Sequence, residues 1–240
     1  MPPRGFDLEF DARAYTSRPV ENKRLPGGLY ALCDDGVRTG LSIAEKAAGL
    51  LAGGARVVQL RLKLTPEVEA LAAARDLVAR CRAAGAVCLV NDRVDWALLC
   101  GADGVHLGDE DLPPTAARAL LGPGALIGVT ARSLAYVEAA QAAGADYVGV
   151  GPVFPSTTKP AGRPALGLAG LAALVAASRL PVVAISGIGL ANIARVAATG
   201  AYGAAVASDL LEAADLADRA GKLAREFEKG RRGEYRGAPP

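Results

Sequence analysis

The feature that most restricts what this chain can fold into is a strict alternation of two patterns. Short runs rich in Val, Ile and Leu, near 29–33, 57–62, 87–90, 104–107, 126–129, 147–150, 182–185 and 204–207, read as strands. Stretches of helical period rich in Ala, Leu, Arg and Glu follow them, near 43–51, 66–84, 94–99, 113–121, 134–143, 168–177, 191–198 and 213–227. The strand runs are almost continuously apolar, as strands covered on both faces must be. Gly-Ala pairs precede most of them: Gly54-Ala55, Gly85-Ala86, Gly101-Ala102, Gly144-Ala145 and Gly200-Ala201. A glycine just past a helix supplies the left-handed residue that ends it, so each pair marks a helix-to-strand turn. Successive strand–helix units with a crossover helix each time predict a parallel sheet closed into one (β/α)8 barrel, spanning residues 28–228. A doubly wound open sheet is the competing arrangement, but no G-x-G-x-x-G follows the first strand.

Composition agrees with a chain that fills such a core. Of 240 residues, 51% are apolar and 22% charged, which excludes a disordered polymer. No run approaches the roughly 18–20 apolar residues of a membrane span. Residues 1–27 carry Arg4, Asp7, Glu9, Asp11, Arg13, Arg18 and Lys23 without an apolar stretch, so no secretory leader is read there and a cytoplasmic location is expected. This segment lies outside the repeat and is expected to be a partly ordered or disordered extension. Residues 229–240 read as a basic, disordered tail. A net charge of +2 is too small to imply a nucleic-acid partner. The expected partners are small molecules, and a homodimer is compatible with the chain. Four cysteines form no C-x-x-C pair and His106 is the single histidine, which argues against a Cys/His zinc site and for buried, reduced thiols.

In a barrel of this kind the chemistry collects at the C-terminal ends of the strands. The second strand alternates so that Gln59, Arg61 and Lys63 share one face and Leu60 and Leu62 the other. The leucines suit the helix layer, which directs an amide and two cations toward the barrel interior. Buried cations need an anion, supplied either by an internal carboxylate or by a phosphorylated ligand. The third strand ends in Asn91-Asp92, and the fourth runs into Gly108-Asp109-Glu110-Asp111. Carboxylates on adjacent strand ends can share a hard cation such as Mg²⁺, or simply cap the following helices. His106 reads either as a satisfied core histidine or as a catalytic one. After the sixth strand, Gly151 to Pro160 brings Ser156, Thr157, Thr158 and Lys159 together, an anion cradle or an ordinary polar loop. The strand-seven glycines and the helix start after strand eight form a common site for a phosphate monoester.

These segments resemble the thiamine phosphate synthase family: QLRLK at 59–63, ND at 91–92, GVHLGDED at 104–111, ADYVGVGPVFPSTTK at 145–159, PVVAISGI at 181–188, and Ala207-Ser208. They cover most of the chain from Gly28 to Phe227. The combination of Q-x-R-x-K with G-P-x-F-P-x-x-T-K is specific. The resemblance implies an enzyme that joins a hydroxymethylpyrimidine diphosphate to a thiazole phosphate. Gln59, Arg61, Lys63, Asn91, Thr130 and Lys159 would hold the pyrimidine diphosphate, with Leu60 and Leu62 among the substrate-binding residues and Arg61, Lys63 and Lys159 catalytic. Asp92 and Asp111 would bind Mg²⁺, and Ser156, Thr157, Thr158, Gly187, Ala207 and Ser208 would hold the thiazole phosphate. Three positions depart from the family pattern: Thr130 for serine, Asp109 for glutamine, and Ser186 for the first glycine after strand seven. A sister family of thiazole tautomerases carries a histidine after strand five, where this chain has Arg132. A Schiff-base aldolase using Lys63 or Lys159 and a non-catalytic thiamine phosphate-binding barrel are the further alternatives.

Overall fold

The structure, a computed structural model, describes residues 24–155 and 164–234. Eight parallel strands close in chain order: β1 (Gly28–Asp34), β2 (Val57–Arg61), β3 (Val87–Asn91), β4 (Gly104–Leu107), β5 (Leu126–Ala131), β6 (Tyr147–Val150), β7 (Val182–Ala184) and β8 (Gly203–Val206), the last pairing back to β1. The helices around them are α1 (Ile43–Ala52), α2 (Glu67–Ala83), α3 (Val94–Cys100), α4 (Pro114–Leu121), α5 (Leu134–Ala142), α6 (Gly167–Ala177), α7 (Ile193–Ala198), α8 (Ser208–Leu211) and α9 (Leu216–Arg231). This is the single (β/α)8 TIM barrel that the alternation predicts. Gly54, Gly85, Gly101, Gly144 and Gly200 all have positive φ, so each helix-to-strand turn closes through a residue that L side chains resist.

The strands divide the core in two. One face of each strand, with Ala31, Val58, Leu60, Val90 and Val105 among them, packs against the helices in one large cluster. The opposite face fills the barrel with a smaller one: Tyr30, Val57, Val87, Leu89, Leu126, Tyr147 and Val183. Among the described residues no helix is long and apolar enough to cross a membrane. The cysteines are unpaired, and Cys33, Cys81 and Cys88 are buried. Burial pushes the thiols of Cys33 and Cys100 up, to about 12 and about 11.

Two boundaries differ from the sequence reading. The eighth helical stretch starts at Leu216 rather than at 213, and the separate short α8 precedes it. Asp215 makes the break, because its side chain accepts from Asp218 N at 3.0 Å and starts a new helix there. The helix then continues to Arg231, into the segment expected to be tail. Gly230 holds that last turn against α7, where a β-carbon would sit 2.0 Å from the Ala194 carbonyl oxygen. Residues 1–23 and 235–240 lie outside the described residues.

Candidate active site

The C-terminal rim is built from β1 and β2 first. Their register sets Asp34 beside Arg61, and Arg61 Nη1 donates to Asp34 Oδ2 at 2.7 Å. The other Asp34 oxygen accepts from Gly36 N at 2.7 Å. Asp34 is buried, while the Arg61 side chain remains 23% exposed. A guanidinium carries five donors, so Asp34 orients Arg61 without using up its fork. Beneath them Lys46, buried on the apolar face of α1 beside Ala47 and Leu50, donates to the carbonyls of Asp34 and Val37 at 2.8 and 2.7 Å. That clamp fixes the backbone that presents Asp34.

Lys63 lies two residues past the end of β2, with its side chain 50% exposed. The Asp35 carboxylate holds its loop by accepting from the backbone N–H groups of Lys63, Leu64 and Thr65 and from the Thr65 hydroxyl, at 2.8 to 3.0 Å. Burial pushes the Asp35 carboxyl up, but these hydrogen bonds outweigh it and hold the group below its ordinary value. Lys63 Nζ donates to Asp92 Oδ2 at 2.5 Å. Asp92, at positive φ (63°), follows β3 directly, and Asp111 accepts from Gly108 N at 2.7 Å. Burial, and then the neighbouring Asp92 carboxylate, raise the Asp111 carboxyl. The two acids therefore stand together with an ammonium against them. Among the described residues no group of three or more His, Cys, Asp or Glu side chains could hold a metal ion.

Inside the barrel, Gln59 Nε2 donates to Tyr30 Oη at 2.8 Å, and Tyr30 Oη meets Tyr147 Oη at 2.9 Å. His106 lies opposite Asn91 in the register and faces inward. Its Nδ1 is 3.0 Å from Tyr147 Oη and its Nε2 3.1 Å from Thr130 Oγ1. Leu60 and Leu62 belong to the helix-side cluster, so of the run 59–63 only Gln59, Arg61 and Lys63 turn side chains to the site. On the far rim Gly187 (φ 68°) follows β7, and Ala207-Ser208 leads from β8 into α8. A β-carbon at Gly187 would sit 2.5 Å from the Pro155 carbonyl oxygen. Ser156, Thr157, Thr158 and Lys159 lie outside the described residues.

The family model for thiamine monophosphate synthase matches residues 29–210. The chain belongs to that family. It is 61% identical over 167 residues to the thiamine-phosphate synthase of Myxococcus xanthus, a match covering 70% of this chain and 75% of that one. Its likeness to the thiamine-phosphate synthase of Anaeromyxobacter dehalogenans is 48% over 158 residues, 66% of this chain and 68% of that one. Among solved structures, the thiamine phosphate pyrophosphorylase from Pyrococcus furiosus superposes with a TM-score of 0.77 at 35% identity, covering 85% of this chain and 96% of that one. At these identities the chain is a transferase of the thiamine-phosphate synthase type.

Against the thiamine monophosphate synthase pattern, the departures have a local explanation. Asp109 forms an ion pair with Arg132, so its charge is met across the β4 and β5 ends rather than added bare beside Asp111. Ser186 does take a positive φ, 77°, the backbone state that glycine would accept at lower cost. Thr130 keeps the hydroxyl that serine would offer, and that hydroxyl is bound to His106. Sequence reasoning missed Asp34, Asp35, Lys46, Tyr30 and Tyr147.

Proposed function

We propose that the chain works as a cytoplasmic enzyme joining hydroxymethylpyrimidine diphosphate to a thiazole phosphate, with release of diphosphate and formation of thiamine phosphate. The observation that carries this reading is the rim at the end of β2, where Lys63 pairs with Asp92, Asp92 stands beside Asp111, and Arg61, held by Asp34, stays partly open two residues before Lys63. Cations alone would serve many phosphate binders. Paired with two acids on neighbouring strand ends, they suit a diphosphate that arrives with a divalent ion.

The donor set fits Mg²⁺. It offers two hard carboxylates close enough to disturb each other, with the Lys63 ammonium standing against one of them. Two carboxylates leave further positions for water and substrate phosphate, the usual arrangement for this ion. When bound, the ion supplies Lewis-acid stabilisation of charge developing on the diphosphate.

The side chains divide the remaining work. Arg61 and Lys63, with Lys159, hold the leaving diphosphate and gain interaction as its charge grows, which lowers the barrier. Gln59, Asn91 and Thr130 orient the pyrimidine. Its amino-substituted ring delocalises positive charge, so the bond from the methylene carbon to the diphosphate oxygen breaks and its electron pair leaves with the diphosphate. The thiazole nitrogen lone pair then forms the new C–N bond, with Ser156, Thr157, Thr158, Gly187, Ala207 and Ser208 holding the thiazole phosphate. No proton leaves that nitrogen, so no general base is required. Positioning and exclusion of water from the cation remain for the protein.

The test is diphosphate release measured with both substrates, with either alone, and with Mg²⁺ replaced by chelator. Release that needs both substrates and the ion supports the reading. No release with the complete mixture overturns it, and undiminished release in chelator overturns the metal assignment.

A further inference from the structure

We propose that His106 is a positioning residue: held as its Nε2–H tautomer by a one-way hydrogen-bond chain from Gln59, it turns the Thr130 hydroxyl proton toward a ring-nitrogen acceptor of a heteroaromatic substrate. The proposal rests on the reading above for the identity of that substrate. It does not rest on it for the state of the histidine.

The chain crosses the barrel interior from β2 to β5. Gln59 Nε2 donates to Tyr30 Oη at 2.8 Å, Tyr30 Oη lies 2.9 Å from Tyr147 Oη, Tyr147 Oη lies 3.0 Å from His106 Nδ1, and His106 Nε2 lies 3.1 Å from Thr130 Oγ1. Direction follows from counting protons. Tyr30 oxygen already accepts from Gln59, so its own proton goes to Tyr147. Tyr147 must then give its proton to His106 Nδ1, which places the neutral ring's hydrogen on Nε2. That hydrogen is donated to Thr130 Oγ1, and the Thr130 proton is left to be given to a ligand. The reverse order would make Tyr30 oxygen accept twice, leaving its own proton without an acceptor among the described residues in a fully buried position, at the cost of an unmade hydrogen bond.

Two further observations show that the interior is shaped around this chain. A β-carbon on Gly128 of β5 would stand 2.0 Å from Tyr147 Cζ, and one on Gly149 of β6 would stand 2.8 Å from His106 Cε1. Glycine within a strand weakens it and marks a close approach, here of the two rings in the chain. Both tyrosines are buried, and burial raises their hydroxyls far above the ordinary value, so they stay neutral donors. Thr130 shares the inward parity of Gly128 and lies nearer the C-terminal end of β5, where the relay meets the rim.

The chain has one histidine, so imidazole ¹⁵N resonances of selectively labelled, tag-free protein report on His106 without further assignment. At neutral pH the expected pattern is the Nε2–H tautomer, altered in Tyr147→Phe, where Nδ1 loses its donor. An Nδ1–H pattern in the wild type, or a pattern unmoved by Tyr147→Phe, overturns the proposal whether or not the protein makes thiamine phosphate. In steady-state assays His106→Phe and Tyr147→Phe are expected to lower kcat/KM for the pyrimidine diphosphate about 10- to 100-fold. KM for the thiazole phosphate should stay within about twofold, and His106→Gln, whose amide can still donate to Thr130, should recover part of the loss. Equal losses toward both substrates would reduce the relay to packing and overturn the positioning role. A wild type inactive in every mixture would instead overturn the proposed reaction, leaving the tautomer result standing.

Discussion

Arg61 Nη1 and Asp34 Oδ2 are joined across the β1–β2 register at 2.7 Å, with the carboxylate buried and the guanidinium partly open. An internal carboxylate therefore fixes Arg61, and the guanidinium still stays partly open at the rim. Arg61→Ala is expected to lower kcat by about 10²–10³, the scale of removing one preorganised donor from developing charge. It should also lower thermal stability, because Asp34 loses its partner. Arg61→Ala combined with Asp34→Asn should recover the stability and none of the rate. Calorimetry and initial rates on the two proteins check both halves, and near-normal turnover in folded Arg61→Ala would remove Arg61 from the mechanism.

Asp111 is raised by burial and by Asp92 above its ordinary value of 3.8. For an acid with a raised folded pKa, the fold carries no penalty below the ordinary value and an increasing one as pH rises through the folded value. Asp111→Asn removes that charge and keeps an oxygen for Gly108 N. Without metal at pH 7 the variant should be more stable than the wild type by about 0.5–1 kcal/mol, an advantage that fades under acid conditions. Mg²⁺ is expected to raise the Tm of the wild type, and the same variant should lose that rise. Thermal denaturation over a pH series, with and without the ion, reads both effects, and an unchanged Mg²⁺ response would remove Asp111 from the metal site.

Ser186 pays a conformational penalty that its side chain does little to offset. Its φ is 77°, and its hydroxyl makes only a 3.5 Å contact to the Phe154 carbonyl. Left-handed backbone costs a non-glycine residue roughly 1–2 kcal/mol, against roughly 0.5–1 kcal/mol for the extra chain entropy that glycine loses. Ser186→Gly is therefore expected to stabilise the protein by about 0.5–1 kcal/mol. KM for the thiazole phosphate should be equal or lower, since a β-carbon leaves the loop next to Gly187. A destabilised variant in chemical denaturation would show that the serine makes a contact worth more than its strain.

The barrel was legible because its evidence is periodic, and the same alternation that separates Leu60 from Arg61 placed the rim cations. What escaped the sequence depends on closure. Tyr30, His106 and Tyr147 come from β1, β4 and β6, and no spacing along the chain shows that their rings meet; Gly128 and Gly149 inside strands were the available signal. Lys46 was missed because a helix lysine is ordinarily solvated, although it adjoins Ala47 and Leu50 on the stripe that faces the core. Asp34 and Asp35 follow the first strand run with no motif to mark them. Their importance lies in what the neighbouring strand brings against them.

Asp35 links that neighbouring strand to the chemistry through Lys63. Its carboxylate accepts from the N–H groups of Lys63, Leu64 and Thr65 and from the Thr65 hydroxyl. Burial raises the carboxyl and these bonds lower it further, to a net value below 3.8. For an acid with a lowered folded pKa, the stabilisation is present above the ordinary value and is lost as pH falls through the folded one. Asp35→Asn has one acceptor oxygen where the carboxylate has two, and no charge, so it should cost about 1–3 kcal/mol at pH 7. The gap to the wild type should narrow below about pH 4, where the wild-type carboxyl also begins to take up its proton. Lys63 itself is untouched, yet its loop loses the clamp that aims it at Asp92. KM for the pyrimidine diphosphate should therefore rise in Asp35→Asn with a smaller fall in kcat than in Lys63→Ala. If the two variants proved kinetically alike, the loop clamp and the ammonium could not be acting separately. If Asp35→Asn proved kinetically silent, Lys63 would be aimed by Asp92 alone.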